Sequence, residues 1–210
     1  LAASASPENI AATAERLGCR SVAYTYNDPV IWAEYAIDTA VECRQRGIKN
    51  VAVTAGYISP EARLAFFEYM DAANVDLKAF TEGFYQHLTL SHLQPVLDTV
   101  SLMHELGVWV EVTTLLIPGL NDSEGELREI ARFVKGIDAG IPWHVTAFRP
   151  TYKMTDRDAT PAATLRKARE LGLAEGLRYV YEGNIPGHGG ENTFCPSCGA
   201  EVISRFGFSI

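Results

Sequence analysis

An acid and an ammonium two residues apart, Asp76 and Lys78, are the first residues in this sequence whose types and spacing point to chemistry. In an extended segment that spacing puts both side chains on one face, where they can pair with each other or with a charged ligand. Taken alone, the pair reads as a structural ion pair. Further polar residues fall at comparable points in other β-rich runs: Asp28, Thr54, Glu111 and His144. Burying so many polar groups without a ligand is costly, so a polar cofactor pocket becomes the better account. The second signal is Cys195-Pro-Ser-Cys198-Gly199, a knuckle able to present two thiolates to one metal. It supplies half of a four-ligand site. His188 is a candidate third ligand, and a redox pair or an unmetallated knuckle remain as alternatives. Cys19 and Cys43 read as small buried hydrophobes.

Such groups need elements to position them. Six β-rich runs begin near Ser21, Asn50, Asn74, Val108, Pro142 and Arg178 and alternate with helical patterns. The alternation suits βα units, in which functional groups collect where strands end and loops begin. The candidates fall at those points: Asn27 and Asp28 after the first run, Thr54 and Gly56 after the second, and Arg149 after the fifth. Ser6-Pro7, Ser59-Pro60 and Thr160-Pro161 read as caps followed by a proline in the first turn. Gly18, Gly47, Gly107 and Gly172 read as helix ends. A helix from about Pro29 to Arg46 carries an apolar stripe through Val30, Ala33, Ile37 and Ala40. Another, from about Asn121 to Lys135, turns Leu127, Ile130, Ala131 and Val134 inward. A glycine-rich shift at Gly183 divides the chain into a barrel over residues 1–182 and a C-terminal extension over 183–210.

The 210 residues carry 18 Lys and Arg against 26 Asp and Glu, a formal net charge of -8, which disfavours a protein that coats nucleic acid. The best membrane-span candidate, Val108 to Leu120, is too short and contains Glu111, so no membrane association is expected. Four cysteines are too few for a disulfide framework, and a reducing cytoplasm is the expected location. The chain opens on Leu1 without a secretory pattern, and we expect a fragment whose natural N-terminus is missing.

Five motifs then occur in one order: Tyr24 to Pro29 (YTYNDP), Val75 to Phe80 (VDLKAF), Thr113 to Asp122 (TTLLIPGLND), Tyr152 to Asp156 (YKMTD) and Glu191 to Gly199 (ENTFCPSCG). Together they resemble the radical SAM enzymes of the AmmeMemoRadiSam system, relatives of pyruvate formate-lyase activating enzyme, over essentially the whole chain. The resemblance implies an α/β fold, a partial (β/α)6 TIM-like barrel. It also implies S-adenosylmethionine (SAM) and a [4Fe-4S] cluster that, once reduced, cleaves SAM to a 5′-deoxyadenosyl radical for hydrogen abstraction. It brings in an electron donor such as flavodoxin or ferredoxin, and a substrate whose identity is open, proteins included. A glycyl-radical activating role is the nearest analogy. The family holds its cluster with Cys-x3-Cys-x2-Cys after the first barrel strand, and no three cysteines here have that spacing. The expectation is therefore a barrel lacking its first strand and cluster loop, and inactive in isolation. Two alternatives stand beside it: a degenerate, non-catalytic SAM-pocket or partner-binding module, and an aldolase-like enzyme using Lys78 as a Schiff-base amine.

Residue by residue, the resemblance places Asn27 and Asp28 at the methionine amino group, although glutamate is commoner at the position of Asp28. Thr54 and Gly56 match the ribose-side loop, where Ala55 replaces a common asparagine. Asp76 and Lys78 match a pair near the methionyl part of SAM, Thr113 lies on the adjacent strand, and Arg149 stands where relatives often have histidine. His144, Tyr152 and Lys153 are substrate-side candidates. Cys195 and Cys198 are the candidate metal ligands, with zinc as the candidate ion.

Overall fold

The computed structural model describes residues 5–185, 187, 189–207 and 209–210. In chain order they form α1 (Pro7–Arg16), β1 (Ser21–Tyr24), a 3-10 turn (Pro29–Trp32), α2 (Ala33–Gln45), β2 (Lys49–Thr54), α3 (Pro60–Phe67) and β3 (Ala72–Asp76). Next come α4 (Glu82–Phe84), which runs into a π turn (Tyr85–Thr89), then α5 (Leu93–Glu105), β4 (Trp109–Leu116), α6 (Glu124–Ile137) and β5 (Trp143–Ala147). The chain ends with α7 (Ala162–Ala174), β6 (Val180–Gly183), and a hairpin of β7 (Thr193–Phe194) and β8 (Glu201–Ile203). All six expected strands are present, in the order β1 to β6 in one sheet. The registered pairs β1 with β2, β2 with β3, β4 with β5 and β5 with β6 are parallel, as βα units require. No helix among the described residues is long and apolar enough to cross a membrane.

The contacts divide the chain into two compact units. One comprises the chain up to Val75 together with Gln94–Val110; the other comprises Asp76–Leu93 and everything from Glu111 onward, including the C-terminal hairpin. In the first unit, Ser6 and Ser59 cap α1 and α3 with their hydroxyls. Ala11, Ala14, Cys43 and Ile48 are buried together with Val22 packed against them. The Trp109 N–H donates to the Asp71 carbonyl at 3.0 Å, continuing the pairing from β3 to the start of β4. In the second unit, the fully buried Trp143 donates its indole N–H to Thr114 Oγ1 at 3.0 Å, and that hydroxyl donates to the Leu77 carbonyl at 2.8 Å. A polar relay thus satisfies groups that the apolar core could not. Ser123 caps α6, whose buried face is Leu127, Ile130, Ala131 and Val134, as the periodicity predicts.

Several local expectations are corrected. The segment from Pro29 begins as a 3-10 turn, and the buried face of α2 is Ala36, Thr39, Ala40 and Cys43; Val30, Ala33 and Ile37 are half-buried. Helix α6 starts at Glu124, because Asn121 and Asp122 spend their side chains on the preceding loop. Cys19 is exposed, whereas Cys43 is fully buried. Gly172 does not end α7 but lies inside it, where a Cβ would come within 3.0 Å of both the Trp143 ring and Val180. Thr160 does not cap α7, whose N-cap is Pro161. Its hydroxyl instead donates to the Leu116 carbonyl at 2.6 Å and accepts the Phe148 N–H at 2.9 Å. Thr160→Val keeps the shape of this buried side chain and orphans both backbone groups. It should cost about 2–4 kcal/mol in urea unfolding, with Thr160→Ser much closer to the parent.

Candidate functional site

In the first unit, the loops after β1 and β2 are joined by one carboxylate. Asp28 Oδ1 accepts from the Val30 N–H at 3.2 Å and the Thr54 hydroxyl at 2.8 Å, while Oδ2 accepts from the Ala55 N–H at 2.8 Å. The Thr54 oxygen in turn accepts the Gly56 N–H at 3.0 Å. Loop backbone has no strand partner, so these side chains take the place of a ladder. Gly56 completes the turn with φ 68°, and a Cβ there would stand 2.9 Å from Val75 Cγ1. Both facts demand glycine. Asn27 is exposed beside this lock, after Tyr26, which is fully exposed at a left-handed φ of 70°. Beneath it, the buried Tyr24 hydroxyl donates to Asn50 Oδ1 at 2.9 Å, and desolvation pushes its pKa up.

In the second unit, Lys78 Nζ lies 2.8 Å from Asp76 Oδ2, and both side chains are partly exposed. The backbone around them is held from several sides. The Lys78 N–H donates to the Tyr85 hydroxyl at 3.1 Å, and the Lys78 carbonyl accepts from Asn121 Nδ2 at 2.6 Å. Asn121, fully buried, also donates to the Leu115 carbonyl at 2.9 Å and accepts the Ile117 N–H at 2.7 Å. The Phe80 N–H donates to Glu126 Oε1 at 2.7 Å. Burial raises the pKa of Glu126, and pushes that of Tyr85 up to about 12. Sequence reasoning missed Asn121 and Glu126 as loop clasps; the only local hint was an Asn-Asp pair ahead of a helix.

Farther along the same unit, His144 Nε2 lies 2.7 Å from Glu111 Oε2, and its ring stacks on Tyr181 at 5.2 Å between centroids. Thr113 is half-buried and registers with His144 across β4 and β5. Arg149 is exposed, donates to the Asn184 carbonyl at 3.5 Å, and lines a cleft of about 680 Å³. Tyr152 is 88% exposed with φ 52°, and the Lys153 ammonium lies 5.4 Å from its ring centroid. These two pair at the surface. The Cys195 knuckle closes through Gly199, whose N–H donates to the Cys195 carbonyl at 2.9 Å, and through the Cys195 N–H to Ala200 at 2.8 Å. Backbone N–H groups of Ser197 and Cys198 hold the Cys195 thiol below its ordinary pKa. No cluster of three or more potential metal ligands occurs among the described residues, and His188 lies outside them.

The superfamily model for radical SAM proteins matches residues 2–134. The chain belongs to the radical SAM superfamily. Over 204 residues it is 44% identical to an uncharacterized protein of Methanocaldococcus jannaschii, covering 97% of this chain and 60% of that protein. It is 24% identical over 116 residues to pyruvate formate-lyase-activating enzyme from Clostridium pasteurianum, covering 55% of this chain and 48% of that enzyme. The chain thus spans 60% or less of the length of these curated relatives. A domain of pyruvate-formate lyase-activating enzyme from Bacteroides vulgatus superposes with TM-score 0.65 at 17% identity, over 78% of this chain and 98% of that one. Streptococcus suis SuiB bound to S-adenosylmethionine gives 0.66 at 14% identity, over 83% and 42%. These likenesses establish the radical SAM fold.

Membership implies SAM and a [4Fe-4S] cluster. The cysteines of this chain do not fit the cluster, because Cys19, Cys43, Cys195 and Cys198 lack its spacing and Cys43 is sealed in the core. The residues present do fit SAM, a zwitterion with a sulfonium: Asp76 and Lys78 offer an accessible carboxylate and ammonium on backbone that is held in place. Gly56→Ala should cost about 2–4 kcal/mol in thermal or urea unfolding, from left-handed strain plus the Val75 clash.

Proposed function

We propose that this chain binds SAM and forms part of an enzyme that uses it to abstract hydrogen from a substrate, in the manner of an activating enzyme. The residues assigned to the cofactor are Asn27, Asp28, Thr54, Gly56, Asp76, Lys78, Thr113 and Arg149. One observation carries the reading: Asp28, Thr54 and Gly56 form a single hydrogen-bonded lock at strand ends, a preorganised backbone of the kind that receives a polar cofactor. Bound SAM supplies, on one-electron reduction, a carbon-centred radical that removes hydrogen from the substrate. The chain's own part is to bind and orient. Asp28 holds the two loop backbones in place, and Asp76 and Lys78 would offer a carboxylate and an ammonium to the methionyl part of the ligand. Asn121 and Tyr85 keep the Lys78 backbone from shifting. Glu111 fixes the His144 ring, which is offered as a substrate-side group with Tyr152 and Lys153.

The same reading includes a cytoplasmic location, an electron donor of the flavodoxin or ferredoxin type, a protein substrate as in glycyl-radical activation, and a place in the AmmeMemoRadiSam system. It also assigns zinc to the Cys195 and Cys198 thiolates, supported by the closed knuckle and the stabilised thiolate.

The test is anaerobic reconstitution of the protein expressed from its complete reading frame, followed by dithionite, SAM and chromatography for 5′-deoxyadenosine. The parent should form it. Lys78→Ala should retain iron–sulfur absorbance and lose roughly 10- to 100-fold in yield, the range expected from loss of a charged contact. A protein with full cluster content that makes no 5′-deoxyadenosine would overturn the reading. Cys195→Ser with Cys198→Ser should lower bound zinc without changing that yield.

A further inference from the structure

The cleft of about 680 Å³ in the second unit contains a group that the cofactor assignment leaves unused. Its apolar lining comes from Leu115, Ala147, Phe148 and Ile185, and its charged lining from Arg149 and Glu191. Glu191 Oε1 is buried and has no hydrogen-bond partner among the described residues. Burying a carboxylate oxygen without a donor is expensive, and native proteins do it rarely.

Glu191 is half-buried as a residue, with Oε1 its buried oxygen, and the backbone beside it is pinned on both sides. The Gly190 carbonyl accepts the Glu182 N–H at 3.0 Å, and Gly190 is buried against the Glu182 side chain. The Glu191 carbonyl accepts from Arg205 Nη1 at 3.0 Å, and Asn192 Oδ1 accepts the Arg205 N–H at 2.7 Å. The Arg205 guanidinium is committed elsewhere: it donates to Thr193 Oγ1 at 2.6 Å and lies 5.6 Å over the Tyr181 ring. It forms no ion pair with the Glu191 carboxylate. Arg149 is exposed, with the Asn184 carbonyl as its one described acceptor.

We propose that this cleft binds an organic cation, a primary ammonium carried on an apolar chain. Glu191 Oε1 accepts from the ammonium, and the aliphatic and aromatic walls cover the chain. A charge-assisted hydrogen bond to a buried carboxylate oxygen with no other described partner is the interaction that best offsets its burial. That this ligand is the hydrogen donor of the reaction rests on the proposed function; the binding site itself does not.

The test needs neither iron nor SAM, so failure of the radical reading leaves its outcome distinct. n-Butylammonium and its neutral isostere 1-butanol are titrated against the protein expressed from its complete reading frame, with binding followed by saturation-transfer NMR. The ammonium should bind at least about tenfold more tightly than the alcohol, as a charged hydrogen bond to that oxygen would give. Glu191→Gln should bring the two within about twofold, and Leu115→Trp, which fills the cleft without touching a charge, should weaken both. Equal binding of the two probes to the parent, no binding of the ammonium, or an undiminished preference in Glu191→Gln would overturn the assignment.

Discussion

Loop backbone at the end of a parallel strand has lost its ladder partner, and everything functional in this chain depends on how those N–H and C=O groups are satisfied. Four side chains do most of it. Asp28 accepts from Val30, Thr54 and Ala55; Asn121 joins the Lys78 and Leu115 carbonyls to the Ile117 N–H; Thr160 bridges Leu116 and Phe148; Glu126 receives the Phe80 N–H. Each bond contributes modestly, but an orphaned buried group costs more than the bond yields, so the loops have few alternative arrangements. Rigid loop backbone is the condition for holding a polar ligand in one pose.

The charged groups fall into two classes. Asp76 with Lys78 and Glu111 with His144 are paired, partly exposed, and so contribute little to stability while remaining available for exchange with a ligand. Glu191 is different, because its buried oxygen has no described donor and its backbone cannot move away. Paired and accessible charges suit a cofactor that enters and leaves; an unpaired buried one suits selection of a particular cation.

Features set by short-range physics were legible in the sequence. The six strands follow from β-rich runs between helical patterns, the Ser6 and Ser59 caps from their prolines, and the Asp76–Lys78 pair from a spacing of two. Features set by distant partners were not. Thr160 looks like a cap until its bond to Leu116, 44 residues away, is seen, and Gly172 looks like a helix end until Trp143 is found against it. Asn121 gave no sign that it would reach Lys78, and nothing in the run from Glu191 to Gly199 foretold a buried acceptor. The sequence marks Asp28 as a candidate ligand contact but gave no sign that its carboxylate also builds the loops. The radical SAM superfamily came through because five motifs in one order carry information that no single local rule holds.

The central claim is that loops pinned by side chains make the SAM site, with Asp28 foremost among them. It is tested most directly by isothermal titration of SAM into the anaerobically reconstituted protein and its Asp28→Asn variant. An asparagine has one acceptor oxygen where the carboxylate uses two, so the variant should bind roughly 10- to 100-fold more weakly at unchanged iron content. Equal affinity in parent and variant would contradict the account.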